Sequence, residues 1–311
     1  MQAKPRVAIL LAAYNGITWL PEQLDSILGQ RNVEVSVFAS VDLSTDGTED
    51  WLLEQSRQDF RIVVLAPERF GGAAANFFRL LRDVDFKDFD FVALADQDDK
   101  WLPHKLERAA HRLETENAAG YSANVTAFWS DGRTQLIDKA QPQTALDFIF
   151  EAAGPGCTYV LNKALATALQ AFITAHPNEL GEVYLHDWFI YAFARAQGFP
   201  WIMDATPCMQ YRQHASNQVG VNKGLNALLR RARMATSGWA FAQAAMIAHL
   251  VGANRLPQIA SWLSGGRIGL LRLSLHARLC RRHPRDQALF FVACWLRALN
   301  PFAAQGRSKK A

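Results

Sequence analysis

Phe89-Asp90-Phe91-Val92-Ala93-Leu94-Ala95-Asp96-Gln97-Asp98-Asp99 is an apolar run that ends in a knot of carboxylates. The run is short, and its residues pack well on a pleated surface, so it reads as a buried strand over residues 90–95. Three acids within four residues repel one another. A fold keeps such a cluster most readily where a cation sits, and hard divalent cations take oxygen ligands. The other reading is a polar strand-to-helix loop in which one Asp caps the helix. Trp101-Leu102-Pro103 follows, and a helical segment is predicted over residues 103–117. Proline suits a first helical turn because its missing N–H is no loss there.

Working outward, the same strand-then-helix pattern repeats towards the N-terminus. Strands are predicted at 7–13, 33–40 and 61–66, and helices at 20–29, 48–58 and 72–84. Repeated βα units with short connections imply a mostly parallel sheet flanked by helices, an α/β fold. Ligands of such sheets bind beyond the carboxyl ends of the strands. The polar clusters Tyr14-Asn15-Gly16, Asp42 to Gly47, Arg69 to Gly72 and Asp96 to Asp99 all fall there. Beyond residue 120 the pattern is less regular. Strands are expected at 121–129, 157–162, 200–205 and 208–212, and helices at 163–176 and 186–197. From Lys223 onward the sequence reads as helical.

The chain has 311 residues, 50% hydrophobic and 20% charged, an ordinary globular balance. Its net charge of +4 hides an asymmetry. Residues 223–311 hold 15 Lys and Arg against one acid, Asp286, net +14; residues 1–222 hold 18 against 28, net −10. The division suggests two parts, 1–222 and 223–311, with different partners. A basic tail calls for phosphate, anionic lipid or nucleic acid. Leu/Ile mixed with Arg at 225–234 and 268–282, and the aromatic run Leu289 to Leu296, suit an anionic membrane surface. They equally suit a helical subdomain packed on the front half. No secretory segment is read at the start, and no run reaches the ~18 apolar residues that span a bilayer. Cys157, Cys208, Cys280 and Cys294 lack metal-ligand spacing and are expected as reduced thiols.

The motifs in order are residues 7–16, then Glu22-Gln23-Leu24-Asp25-Ser26-Ile27, Ser44-Thr45-Asp46-Gly47-Thr48, and Ala95-Asp96-Gln97-Asp98-Asp99 with Trp101, Pro103 and Lys105. Over about residues 5–115 this series resembles the inverting family-2 glycosyltransferases. Gly154-Pro155-Gly156-Cys157-Thr158, His186-Asp187-Trp188 and Tyr211-Arg212-Gln213-His214 with Asn217 resemble a bacterial branch described as rhamnosyltransferases.

The resemblance implies a GT-A fold, Rossmann-like, followed by the basic helical C-terminal region. It implies a nucleotide-diphosphate-sugar donor, with dTDP-L-rhamnose suggested by the branch, and Mg²⁺ or Mn²⁺. The acceptor would be a cell-envelope glycan such as a lipid-linked O-antigen or exopolysaccharide intermediate. The place of work would be the cytoplasm, at the inner face of the plasma membrane.

Carried over by residue, Tyr14 would lie against the base and Asp42 would accept its ring N–H. Many members have two acids there, whereas this chain has Val41-Asp42. Arg69 and Arg212 would contact the donor phosphates, or else be solvated. Asp96 and Asp98 match the family's Asp-x-Asp and would hold metal, with Asp96 also reaching the donor. His214 would reach the metal or serve only as a hydrogen-bonding side chain. Asp187 would be the general base, a role a carboxylate fills when held against the attacking hydroxyl. Asp99, Trp101, Gly156 and Trp188 would line the acceptor site. Ser44 and Thr45 read as turn chemistry, and Cys157 as buried. An oxidoreductase is disfavoured because no G-x-G-x-x-G follows the first strand. Nucleic acid is not expected as a partner, since no binding motif appears. The competing class is a catalytically silent glycan- or membrane-binding adaptor with this fold.

Overall fold

The computed structural model describes residues 3–214 and 238–299. The predicted segment 225–234, and Asn217, lie outside the described residues. The chain divides into two compact units, residues 1–140 with 153–220, and residues 141–152 with 221–311.

The first unit runs β1 (Arg6–Ala13), α1 (Leu20–Leu28), β2 (Glu34–Val41), α2 (Thr48–Gln58), β3 (Ile62–Val64), α3 (Ala73–Asp83), β4 (Phe91–Ala95), β5 (Lys100–Trp101), α4 (Lys105–Thr115), β6 (Gly120–Ala123), β7 (Val125–Phe128) and β8 (Thr134–Ile137). The short helix α5 (Asp147–Phe150) belongs to the second unit. The first then resumes with β9 (Val160–Asn162), α6 (Lys163–Ala175), α7 (Pro177–Leu180), α8 (His186–Ala196), β10 (Trp201–Asp204) and β11 (Met209–Arg212).

Seven strands form the main sheet in the order β10-β6-β9-β4-β1-β2-β3. β1 lies between β2 and β4, parallel to both, and every residue after Arg6 is buried. A strand covered on both faces needs a continuous apolar run, which is what residues 7–13 supply. The sheet is parallel apart from β9, which runs antiparallel to β4 and β6. That reversal matters for the site. An antiparallel strand begins at the rim where its parallel neighbours end. The turn Gly156–Thr158 that leads into β9 therefore arrives beside the carboxyl end of β4.

The strand expected at 121–129 is two strands in two sheets. Asn124 breaks it: its side chain bonds Lys139 N, Ala140 N and Ala205 O, so the chain turns there. β7 then joins a small sheet of order β5-β11-β7-β8. Pairing of Met209 with Trp101 and Gln210 with Lys100 sets β11 against the chain just after Asp99.

The second unit contains α9 (Trp239–Leu250), α10 (Pro257–Ser264), α11 (Gly266–Ser274), α12 (Ala277–Cys280) and α13 (Pro284–Leu299). Residues 141–152, inside the span expected for the front part, fold with these helices. Phe150 packs its ring 5.1 Å from Phe290, and two acids of the segment are held by one arginine. Asp147, fully buried, pairs with the buried Arg282 at 2.9 Å, and Glu151 accepts from Arg282 N at 2.7 Å. A buried charge survives only with a partner, so the two acids stay with this arginine.

Candidate active site

β1, β2 and β4 end at one rim, since Ala13 is level with Val41 and Leu11 with Ala95. Tyr14, Asp42 and Asp96 follow directly. Tyr14 is 56% exposed, unusual for a large aromatic at the end of a core strand. Its backbone is fixed from both sides by Gln97: Tyr14 N donates to Oε1 at 2.7 Å, and Nε2 donates to Tyr14 O at 2.8 Å. A Cβ on Gly16 would sit 2.2 Å from Gln97 Oε1, so only glycine lets this amide bridge form. Asn15 adopts φ 46° and accepts from Thr45 N, while Asn15, Gly16 and Ile17 donate to Ser44, Thr48 and Asp46. The turn residues of the second cluster thus hold the first in shape.

Asp42 is almost fully buried. Its Oδ1 accepts Leu43 N and Phe70 N, and Oδ2 accepts Gly71 N at 2.8 Å. Three of its acceptor positions go to shaping the loop around Arg69. Arg69 is exposed on that loop, without an ion pair among the described residues.

Asp96 and Asp187 share the next part of the site. Burial pushes the Asp96 carboxyl up to about 7, and the charges of Asp98 and Asp187 add to the rise. Asp99 is raised well above the carboxylate range, by burial first and then by Asp98 and Asp96. Carboxylate oxygens of Asp96 and Asp99 and the Cys157 Sγ lie within 4.8 Å of one another. Burial pushes the Cys157 thiol up, and Asp99 and Asp96 add to it, so it is a protonated neighbour rather than a ligand for a hard cation. Asp99 Oδ1 accepts Arg212 N at 3.1 Å, while the buried Oδ2 has no partner. Lys105 Nζ, buried too, lies 3.5 Å over the Trp101 ring and is depressed to about 8 by burial.

Asp98 Oδ2 is 2.7 Å from His214 Nε2. Trp19 stacks on the His214 ring with centroids 4.1 Å apart and planes at 12°. Arg212 is committed to structure: Nε donates to Asp98 O at 2.8 Å, Nη2 pairs with Glu22, and the guanidinium covers Phe128. It therefore holds the loop after β11 onto the acidic turn, where it was expected to contact donor phosphate. The acids repel one another and one buried Asp99 oxygen is unbonded, which suits a divalent cation; the ligand atoms that gather among the described residues are those of Asp96, Asp99 and Cys157, while Asp98 and His214 bond each other.

Asp187 opens α8, and its Oδ1 accepts Trp188 N at 2.7 Å. Burial raises its carboxyl to about 6, which suits a base near neutral pH. The neighbouring His186 is stacked 4.0 Å from Phe77 and pushed down to about 3 by burial, so it stays neutral. A Cβ on Gly156 would meet His186 Nε2 at 2.7 Å and Asp187 Cβ at 3.1 Å. Glycine there lets the turn before β9 close over the base.

Of the residues expected at the acceptor, Asp99 has no exposed surface and Trp101 only 2%. Trp188 and Gly156 are buried as well, Gly156 against His186 and Asp187. Gln97 and Glu22 stand inside the motifs without an expected role of their own, and Trp19 stands outside them. Gln97 sits between two louder acids, and the other two belong to a stretch that reads as an ordinary helix start.

Residues 8–151 match the model of glycosyl transferase family 2. The dTDP-rhamnosyl transferase RfbG of Shigella flexneri is 40% identical over 279 residues, 89% of this chain and 96% of that protein. A teichuronic acid biosynthesis glycosyltransferase of Bacillus subtilis, TuaG, is 32% identical over 38% of this chain and 48% of its own. Among solved structures, S. aureus TarS 1–349 with UDP aligns at a TM-score of 0.55 and 14% identity, covering 94% of this chain and 88% of that one. The mannosyltransferase PcManGT of Pyrobaculum calidifontis, with GDP-Man and Mn²⁺, aligns at 0.53 and 16%, covering 98% and 88%. Those two likenesses concern the fold. With the RfbG match spanning nearly that whole protein, the chain belongs to glycosyl transferase family 2 and is a GT-A nucleotide-sugar glycosyltransferase.

Proposed function

We propose that this enzyme moves L-rhamnose, with inversion, from dTDP-L-rhamnose to a hydroxyl of a lipid-linked envelope glycan, working from the cytoplasmic face of the membrane. The observation that carries the reaction is geometric: Cys157 Sγ lies within 4.8 Å of the Asp96 and Asp99 oxygens while the adjacent Gly156 packs against Asp187, so base and donor clamp share one site. The donor is suggested by the relative at 40% identity.

Tyr14 offers an exposed ring to the base, since aromatic stacking tolerates different bases. Arg69 faces solvent on the loop tied down by Asp42 and can meet diphosphate oxygens. Asp96, Asp98 and His214 would hold Mg²⁺ or Mn²⁺, whose charge stabilises the departing diphosphate. Asp187 takes the proton of the acceptor hydroxyl as its oxygen attacks the anomeric carbon. The bond from that carbon to the diphosphate oxygen breaks, and dTDP leaves with the electron pair. Attack opposite the leaving group inverts the centre.

The test is a donor panel of dTDP-L-rhamnose, UDP-glucose and GDP-mannose with a lipid-linked acceptor, each with Mn²⁺ and with EDTA. Metal-dependent dTDP release with an inverted rhamnosyl linkage is expected. Preference for either other donor would overturn the assignment.

A further inference from the structure

The second unit carries a surface to which no residue of the proposed reaction belongs. α13 buries Cys294 and Ala298 but leaves Leu289, Val292, Trp295, Leu296 and Leu299 between 41% and 69% exposed. Positions 289, 292, 296 and 299 recur at three- and four-residue steps, which places them on one helix face. A solvent face of a soluble helix is normally polar; this one is apolar along two turns and more.

The charge around it is equally lopsided. Residues 238–299 hold eight arginines and one acid, Asp286. Arg281 pairs with Glu151 and Asp286, and Arg282 with Asp147. Arg255, Arg267, Arg272, Arg278 and Arg285 are exposed and make no ion pair among the described residues. Exposed Ile268 and Leu275 sit one and three residues from Arg267 and Arg272. Beyond α13 the sequence continues to Arg307, Lys309 and Lys310.

An occupant must satisfy both features. A second copy of this chain would bring the same arginine excess against itself. A nucleic acid would answer the arginines and leave the apolar face in water. The surface of an anionic bilayer answers both, because its acyl boundary takes large apolar side chains and its headgroups take arginine. No helix among the described residues is long and apolar enough to cross a membrane. We propose that α13 lies in the plane of an anionic membrane surface through its Leu289 to Leu299 face, with the neighbouring arginines on the headgroups. This deepens the membrane-face part of the proposed function and rests on it, but is independent of the donor.

The experiment floats the full chain with vesicles of phosphatidylcholine alone, or with about one-third phosphatidylglycerol. Partition onto the anionic vesicles should exceed that onto the neutral ones at least about tenfold, and fall at about 0.5 M salt. The combined variant Leu289→Gln, Trp295→Gln, Leu296→Gln replaces exposed side chains and should keep the parental Tm. It should lose partition about tenfold or more. Arg267→Gln with Arg272→Gln should weaken anionic binding about fivefold per arginine. dTDP release without lipid should be unchanged in both. The inference is overturned if the parent stays unbound with both vesicles, or if the triple variant floats like the parent. It is also overturned if light scattering finds a parental dimer that the triple variant dissolves. Failure of the donor panel with flotation intact would remove dTDP-rhamnose and leave the docking face.

Discussion

Asp187→Asn separates the cost of a buried base from its use. Burial lifts the Asp187 carboxyl from its usual 3.8 to about 6. Between those values the folded chain holds a proton that the unfolded chain has released. Stability therefore falls as pH rises through this window and levels off above about 6. At about 1.4 kcal/mol per pH unit, ionised Asp187 costs the fold about 3 kcal/mol at neutral pH. Asparagine is of the same size, carries no charge, and keeps an oxygen for the Trp188 N–H now bonded at 2.7 Å. Without metal, the variant should gain up to about 3 kcal/mol over the parent at pH 7.5 and nothing at pH 3.5. Urea unfolding at both pH values, in EDTA, measures this. The same change should lower kcat about 10²- to 10⁴-fold, the usual worth of a general base. The parental kcat should fall on the acid side as pH drops through about 6. Near-parental transfer by the variant, or an equal stability change at both pH values, would refute the assignment.

Three other outcomes follow from the geometry. Trp19→Ala removes the ring stacked on His214, and Mn²⁺ affinity followed by electron paramagnetic resonance should drop about tenfold or more. Gly16→Ala puts a Cβ against Gln97 Oε1 and breaks its bridge to Tyr14. Donor KM should rise about tenfold in initial-rate assays with kcat little changed, and Gln97→Ala should match it. Arg282→Ala strands Asp147 in a buried site, and urea unfolding should register a loss of about 3–5 kcal/mol.

Much of the fold was legible because its signals are local. The apolar run of β1 and the short run ending at Asp96 specify strands buried in a parallel sheet. The acids after β4 and the turn residues after β1 and β2 mark the rim where such sheets bind ligands. The break at Asn124 was not legible, since its cause is hydrogen bonds to residues 139, 140 and 205. Nor were the bonds by which Asp42 and Arg212 hold loops of the protein itself.

Local sequence was enough for the α/β class, the acidic turn and the residue types of the chemistry. Tertiary structure decided which of them meet. His214 reaches Asp98 across 116 residues because β11 pairs with β5. Gly156 and Cys157 arrive beside the acids because β9 runs against its neighbours. Periodicity reports the environment of a segment through its near neighbours. Strand order and direction are set by the packing of the whole sheet, so no local pattern carries them.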